Sequence, residues 1–184
     1  MALLTILTDD NPRLRLKSHK VTKFDKALRD LAKNMFDSMD NANGIGLAAP
    51  QVGALQRLIV IDIPEDMDEE GSEHFQAVLV NPEIIKASGE QVSEEGCLSI
   101  PGWYGEVKRF QNVTVKGQDL YGKPVKIKAT GLNAVCLQHE IDHLDGILFT
   151  DKVVDAATLH KVKRATEQAA PATIDPAKEL VKAR

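Results

Sequence analysis

The segment that organises this chain is Leu132-Asn133-Ala134-Val135-Cys136-Leu137-Gln138-His139-Glu140-Ile141-Asp142-His143. Its period is helical, and one stripe at i, i+3, i+4, i+7 and i+11 collects Leu132, Val135, Cys136, His139 and His143. The spacing therefore predicts a helix whose apolar side continues into two histidines. Because residues four apart lie roughly 40° from each other on a helical face, both imidazoles can reach one ion. Glu140 lies off that axis, near the ion's open position.

A catalytic ion needs three protein ligands and one open position, so the two histidines need a partner from elsewhere. The extended peptidase pattern His-Glu-x-x-His-x-x-Gly-x-x-His is matched as far as Gly146, but Phe149 stands at its last histidine. His160 or a downstream acid remains available as a ligand. The alternative is a solvated helix that carries two histidines and an acid without any metal.

An upstream segment, Glu94-Glu95-Gly96-Cys97-Leu98-Ser99, offers a thiol beside a glycine that allows a ligand to approach closely. A thiolate with two imidazoles suits a soft to borderline cation. The competing interpretation of Cys97 alone is a small buried hydrophobic residue. On the residues alone, both interpretations stay open.

Composition limits the possible classes of protein. With 184 residues, 43% hydrophobic and 27% charged, the chain has the balance of one globular domain and not of a disordered or fibrous protein. A formal charge of −4 and a pI near 5.7 argue against a dominant electrostatic grip on nucleic acid or anionic membrane. Two cysteines are too few for a disulfide framework, and no segment approaches the roughly 18 apolar residues of a membrane span. We expect a cytosolic protein, or one whose targeting peptide was removed.

The remaining periodicities predict an α+β fold. An amphipathic helix is expected between Asp25 and Asn43, strands over 57–63 and 75–80, and a hairpin over 112–116 and 124–128. A surface helix is expected over 155–168. We therefore predict antiparallel or mixed strands around a central metal-bearing helix, with one helix near the N-terminus and one near the C-terminus. Residues 1–168 should form a single catalytic domain, followed by a loose or partly helical tail over 169–184.

A third segment, Gly44-Ile45-Gly46-Leu47-Ala48-Ala49-Pro50-Gln51, is small and apolar and ends in one amide side chain. Together with the Glu-Gly-Cys-Leu-Ser segment and the Gln138-to-His143 segment, in this order and spacing, it resembles the three signature motifs of peptide deformylases. The resemblance extends over about the first 150 residues. It implies removal of formate from N-formyl-methionine at the start of nascent chains.

The resemblance also implies the metal site. In that family Cys97, His139 and His143 would hold one divalent ion, Fe²⁺ in the cell. Zn²⁺, Ni²⁺ or Co²⁺ could replace it on purification, because imidazole and thiolate suit all four metals.

The same resemblance assigns catalytic roles. Glu140 would take a proton from the attacking water and deliver it to the leaving nitrogen. The Gln51 amide and the backbone N–H of Leu98 would donate to the developing oxyanion, and loss of one such donor typically costs about 10²- to 10³-fold in rate.

A substrate pocket follows from the resemblance as well. Leu132, Val135 and Cys136 would accept the methionine side chain, although ordinary core packing explains them equally well. Backbone groups of Ile45 and Gly46 would bind the peptide as an extended strand.

Gly96 would contribute to the same backbone binding. Many family members carry an arginine at the position of Tyr104, where it contacts the substrate backbone. A tyrosine hydroxyl donates one hydrogen bond and supplies no charge, so this contact should differ here.

Two alternatives of other classes remain. A zinc metallopeptidase would leave Cys97 without a task, and a structural Cys₂His₂ zinc site completed by Cys136 would leave no use for Glu140 or Gln51. As partners we expect N-formyl-methionyl nascent peptides and a weak ribosome contact through the C-terminal helix, with no specific DNA binding and no membrane. A bacterial cytoplasmic location is expected, with an organellar enzyme stripped of its transit peptide as the alternative.

Overall fold

The computed structural model describes residues 2–67 and 72–162. Within them lie two α-helices, eight β-strands and four short 3₁₀ turns. The helices and strands, in chain order, are α1 (Lys26–Asn41), β1 (Gly46–Ala48), β2 (Leu58–Ile63), β3 (Phe75–Ser88), β4 (Gln91–Cys97), β5 (Ile100–Arg109), β6 (Asn112–Gln118), β7 (Pro124–Thr130), α2 (Gly131–Leu144) and β8 (His160–Lys161).

The amphipathic helix α1 begins and ends close to the residues that the sequence predicts. The Asp25 carboxylate caps its first turn by accepting a hydrogen bond from the Leu28 N–H at 3.1 Å. The helix is stopped by Asn43, which adopts a left-handed conformation with φ of 54°. The following Gly44 N–H donates to the Met39 carbonyl at 2.9 Å, as in a Schellman ending. The predicted stop at Asn43-Gly44 is therefore confirmed.

The strands form two antiparallel sheets. One sheet has five strands in the order β1-β2-β3-β6-β7, and the other has three strands in the order β4-β5-β8. The predicted hairpin is β6 and β7, paired in continuous register from Asn112 opposite Thr130 to Gln118 opposite Pro124. The α+β prediction is confirmed, and the sheets are antiparallel rather than mixed.

The five-stranded sheet lies between the two helices because its strands alternate. Ile59, Ile61 and Leu79 face the cluster that includes α2, whereas Val60 and Val80 face the cluster that includes α1. The first half of the sheet is thus covered on both sides. A third small cluster, around Leu14 and Phe149, lies under the three-stranded sheet.

Helix α2 is buried on nearly every side, including its polar residues. Its C-terminal stop is Gly146, which has φ of 75° and whose N–H donates to the His143 carbonyl at 3.2 Å. A Cβ at Gly146 would lie 2.5 Å from the Arg15 carbonyl oxygen, so only glycine fits. The glycine that matches the peptidase pattern therefore ends this helix. Among the described helices, none is long and apolar enough to cross a membrane.

The predicted C-terminal helix is wrong where the structure describes it. Residues 156–158 form a 3₁₀ turn, capped by the Asp155 carboxylate, and His160–Lys161 forms β8. The free edge of β5 accounts for this, since Tyr104 pairs with His160 and Trp103 with Lys161. Residues 163–168, the predicted tail over 169–184 and the ribosome contact assigned to it lie outside the described residues.

Besides β8, three further strands were not predicted. In β4 and β5, the Glu94-to-Ser99 segment and the Pro101-Gly102 step obscure the alternation, and β1 is too short to show a period. Cys97 is the last residue of β4, and it pairs there with Ile100 of β5.

Candidate metal centre

The ligand atoms of Cys97, His139 and His143 lie within 4.8 Å of one another. The His143 Nε2 atom is 3.2 Å from Cys97 Sγ and 3.2 Å from His139 Nε2. Atoms bound to a tetrahedral ion at about 2.0–2.3 Å stand roughly 3.3–3.8 Å apart, so this donor set fits one ion. In the described part of the chain, no fourth histidine, cysteine or carboxylate joins the cluster, which leaves one position open.

The site unites the end of β4 with the middle of α2. Cys97 is the last residue of β4, and the two histidines lie one turn apart on α2. The predicted upstream ligand is thus the one that the fold brings to the histidines. His160, the downstream candidate, is exposed and lies beside Tyr104 with a ring-centroid distance of 6.2 Å, and it is not part of the cluster.

His139 is oriented by a buried ion pair. Its Nδ1 atom lies 2.8 Å from Glu95 Oε2, which leaves Nε2 to face the cluster. Glu95 in turn accepts from Arg109 Nε at 2.7 Å and from Nη2 at 2.9 Å. Burial acts to raise the pKa of Glu95, but the bonds from Arg109 and His139 prevail and lower it to about 2. The Phe149 ring stacks on His139, which completes its orientation.

A wider network ties the same arginine to α2. Arg109 Nη1 also binds the Asp142 carboxylate, and Lys152 Nζ lies 2.8 Å from the same carboxylate. Gln138 exchanges two hydrogen bonds with the Phe110 backbone, at 2.9 and 3.0 Å. Asp142 and Gln138 are therefore structural hydrogen-bonding residues, and neither belongs to the metal cluster.

Glu140 is buried, and its Oε2 atom has no hydrogen-bond partner among the described residues. Burial raises the pKa of this carboxyl to about 7. Gly46 packs directly against it, since a Cβ there would stand 2.4 Å from Glu140 Oε1 and 2.8 Å from Cys136 Sγ. A buried carboxylate with a free oxygen is suited to exchange a proton with a group that enters the site.

The Gln51 amide is held beside Cys97. Its oxygen accepts from the Ala48 N–H at 2.7 Å, which fixes the orientation of the amide. Its nitrogen then donates to Ser99 Oγ at 3.2 Å and to Cys97 Sγ at 3.5 Å. Gln51 follows β1 in a short 3₁₀ turn, so the glycine-rich segment does present this side chain to the cluster.

The other predicted residues lie on two sides of the cluster. On the α2 side, Val135 and Cys136 are buried and Leu132 packs against the same core, while Cys136 Sγ lies 3.8 Å from the Ile45 carbonyl oxygen. On the β4 side, the Leu98 side chain lies against Gly44.

Tyr104 lies opposite Gly96 on β5 and is partly exposed. A Cβ at Gly96 would lie 2.6 Å from the Tyr104 ring, so the glycine makes room for this tyrosine. The Tyr104 ring therefore lies against the backbone of β4 at Gly96.

The sequence reasoning did not identify Glu95, which contacts His139, or Arg109, which pairs with Glu95. Glu95 stands two residues before Cys97, which in a strand places both side chains on one face. Arg109 likewise follows Val107 at strand spacing, and both are buried. A correct strand assignment for β4 and β5 would have revealed two charged residues on a buried face.

Comparison with known proteins agrees with this geometry. Residues 3–158 match the family model described as polypeptide deformylase. The chain belongs to the polypeptide deformylase family. A peptide deformylase from Thermomicrobium roseum is 52% identical over 172 residues, which covers 94% of this chain and 98% of the relative.

Solved deformylase structures agree as well. A peptide deformylase from Legionella pneumophila is 48% identical with a TM-score of 0.77, covering 85% of this chain and 89% of the other. One from Ehrlichia chaffeensis, solved in complex with actinonin, is 38% identical with a TM-score of 0.79, covering 86% and 92%.

Membership confirms the prediction of a metal-dependent enzyme of the deformylase family. The metallopeptidase and the structural zinc protein are not favoured. Cys136, which the structural site would need, points to the Ile45 carbonyl and is absent from the cluster.

Proposed function

We propose that this chain removes the formyl group from N-formyl-methionine at the start of newly made polypeptides and releases formate. The observation that carries the proposal is the cluster of one thiol and two imidazoles beside Glu140 and the Gln51 amide. Each has a use in hydrolysis of a formyl amide, and a structural metal site would use neither Glu140 nor Gln51.

Cys97, His139 and His143 would hold one divalent cation, and Fe²⁺ is our proposal for the ion in the cell. A bound cation supplies Lewis acidity, which activates water for attack on a carbonyl carbon. The Glu95 contact to Nδ1 leaves the Nε2 atom of His139 free to serve as a ligand. We also propose that residues 1–168 act as one catalytic domain and that the protein works in the cytoplasm.

Glu140 would act as the general base and then as the general acid. Its unpartnered Oε2 atom can accept the proton of the attacking water. The same carboxyl would deliver that proton to the leaving nitrogen, so the new N-terminus departs as a neutral amine. Its burial keeps it apart from bulk water during both transfers.

Gln51 and the Leu98 backbone would stabilise the oxyanion that forms at the formyl oxygen. The Gln51 nitrogen is pre-oriented because its oxygen is fixed by Ala48. When substrate enters, this nitrogen would exchange its contact with Ser99 Oγ for one with the oxyanion.

The peptide would bind between β1 and β4, with its backbone against Ile45, Gly46 and Gly96. Val135 and Cys136, together with Leu132, would line the slot for the methionine side chain. Tyr104 would border the peptide at the edge of β4, where a hydroxyl replaces the charge of an arginine.

Formate release decides the reaction. The protein, purified without oxygen and analysed for metal, is expected to release formate from a formyl-methionyl peptide and to leave the unformylated peptide intact. Cleavage inside the unformylated peptide without formate release would contradict the proposal and support a peptidase.

Metal content of two serine variants tests the ligand set. Cys97→Ser is expected to lose the ion and the activity, because it removes one of three ligands. Cys136→Ser, a matched change at the other cysteine, should retain the ion. Equal loss of metal from both variants would favour the four-ligand structural site.

A further inference from the structure

The side of the five-stranded sheet that carries α1 is covered only in part. The contacts of α1 are with β1 and β2, and β6 and β7 make none of comparable extent with it. There Val113 and Val115 turn inward to the α2 core, while Lys116 and, on β7, Lys126 and Lys128 turn outward and are exposed. We call this uncovered surface of β3, β6 and β7 the outer face.

The strand register concentrates positive charge on the outer face. Lys116 lies directly opposite Lys126, and Lys128 lies opposite Thr114, which in turn is opposite Lys86 on β3. Residues directly opposite each other share a face, and like charges in that arrangement destabilise a sheet. The salt bridge of Lys116 with Glu83, at 2.9 Å, offsets this repulsion at one of these positions.

A groove of about 990 Å³ extends the outer face beyond the sheet. Lys116 and Lys126 line it together with three more cations from other segments, namely Lys17, Lys20 and Arg57. A smaller groove of about 390 Å³ is lined by Lys86 and Lys128. Lys126 and Lys128, which line the two different grooves, lie two residues apart on β7.

The charges on the two grooves do not cancel. Seven cations face two carboxylates, Glu83 and Asp145, which gives a net charge of +5 on a chain whose total is −4. The carboxylates pair with Lys116, Arg57 and Lys17. Within the described residues, no ion pair involves the other four cations, which are Lys20, Lys86, Lys126 and Lys128. Such segregation creates a local positive potential that attracts a polyanion.

We infer that the outer face binds the phosphodiester backbone of a nucleic acid strand without reading its bases. Lys126 and Lys128 are two residues apart on one strand, about 6–7 Å, so the cations form a row that can meet successive phosphates. The described lining residues include no aromatic side chain for base stacking, which argues for backbone contacts alone. A concave groove also fits a strand better than it fits the flat surface of a bilayer.

The inference goes beyond the proposed function and does not depend on it. None of the lysines involved lies in the metal cluster or in the proposed peptide site. Binding at the outer face should therefore leave formate release from a short peptide unchanged.

The test uses fluorescence anisotropy with a labelled RNA and a labelled DNA, each of about 12 nucleotides and mixed sequence. The variant carries Lys86→Gln, Lys126→Gln and Lys128→Gln, three exposed changes that break no ion pair. The control carries Lys26→Gln, Lys33→Gln and Lys108→Gln. It has the same net charge, and its lysines line neither groove.

The wild-type chain should bind in low salt, and the slope of log K against log salt should fall by about 2 in the variant, since each phosphate contact contributes about 0.7. Affinity near 50 mM salt should fall at least about 10-fold in the variant and stay within about twofold in the control. Equal binding of RNA and DNA would support recognition of the phosphodiester backbone. A preference for one of them would identify the nucleic acid that the outer face binds.

Three results would overturn the inference. These are no binding by the wild-type chain in low salt, equal loss in variant and control, and equal or tighter binding of an acidic polyglutamate peptide or of phosphatidylserine vesicles. Circular dichroism and formate release by the variant verify that it is folded. If the triple variant is not folded, the single change Lys126→Gln provides the same test, with an expected decrease in slope of about 0.7.

Discussion

The two helices of this molecule differ in whether their polar residues are exposed or buried. Helix α1 buries one apolar stripe and leaves its charges in solvent, where Lys26 pairs with Asp30 and Lys33 with Asp37. Helix α2 buries its polar residues as well, so each polar atom needs a partner inside the protein. Most have one, and the exceptions are Glu140 Oε2 and His143 Nδ1.

This difference separates buried polar groups that hold the fold from buried polar groups that the fold leaves without a partner. Around α2, the partnered groups (Gln138, Asp142 and, across from them, Glu95 and Arg109) fix the helix and the His139 ring. The Oε2 atom of Glu140 has no such partner among the described residues. The ion pairs of α1 are exposed, so the fold depends on them less than on the buried ion pairs around α2.

The largest effect on stability is expected for Arg109→Leu. It leaves the carboxylate of Glu95 buried without its cation, and breaking a buried pair typically costs about 3–5 kcal/mol. The measurement is the free energy of unfolding in urea. Lys108→Leu, an exposed neighbour on the same strand, is the control and should cost less than about 1 kcal/mol. Similar losses for both variants would remove the contrast between buried and exposed pairs.

Gln51→Glu should lower the rate, and because Gln51 is buried the new carboxyl should also lower the free energy of unfolding. The new carboxylate retains an oxygen that accepts from the Ala48 N–H, but it loses the amide donor. Loss of one oxyanion donor lowers kcat by about 10²- to 10³-fold. Steady-state formate release measures it, with the exposed change Gln111→Glu as the control. A kcat within about threefold of wild type would show that the amide is not an oxyanion donor.

Asp25→Ala tests the N-terminal cap of α1, a polar contact of this helix that we expect to stabilise the fold. Its carboxylate accepts from the Leu28 N–H, and loss of such a cap costs about 1 kcal/mol. The urea unfolding free energy is again the readout. Asp30→Ala removes the same charge within α1 and should cost only a few tenths of a kcal/mol. If the two variants were equally destabilised, charge rather than capping would be responsible.

The smallest effect is expected for Lys33→Gln. It removes an exposed pair with Asp37 at 2.9 Å, which contributes about 0.3–0.5 kcal/mol. The loss should vanish when unfolding is measured in about 1 M salt, because screening removes the attraction. A loss above 1 kcal/mol that persists in salt would mean that the charged surface of α1 is not dispensable.

The sequence predicts α1, α2 and the β6–β7 hairpin because their periods are long and their stop residues are explicit. It also predicts the Cys97–His139–His143 cluster, through motif resemblance rather than periodicity. The β4–β5 pair was missed because Pro101 and Gly102, which lie inside β5, interrupt its alternation, and Glu95 and Arg109 were missed with it. The helix predicted from Asp155 is a turn and a strand where it is described, since the free edge of β5 outweighs local propensity.

The most direct test compares stability and rate in Glu140→Gln. Glu140 has a buried oxygen without a partner, so the neutral amide should leave the unfolding free energy unchanged or raise it, with the metal retained. Formate release should nevertheless fall by about 10²- to 10⁴-fold, because the proton acceptor is gone. A variant that unfolds more easily yet releases formate at the wild-type rate would contradict the account, since Glu140 would then hold the fold and not act in the reaction.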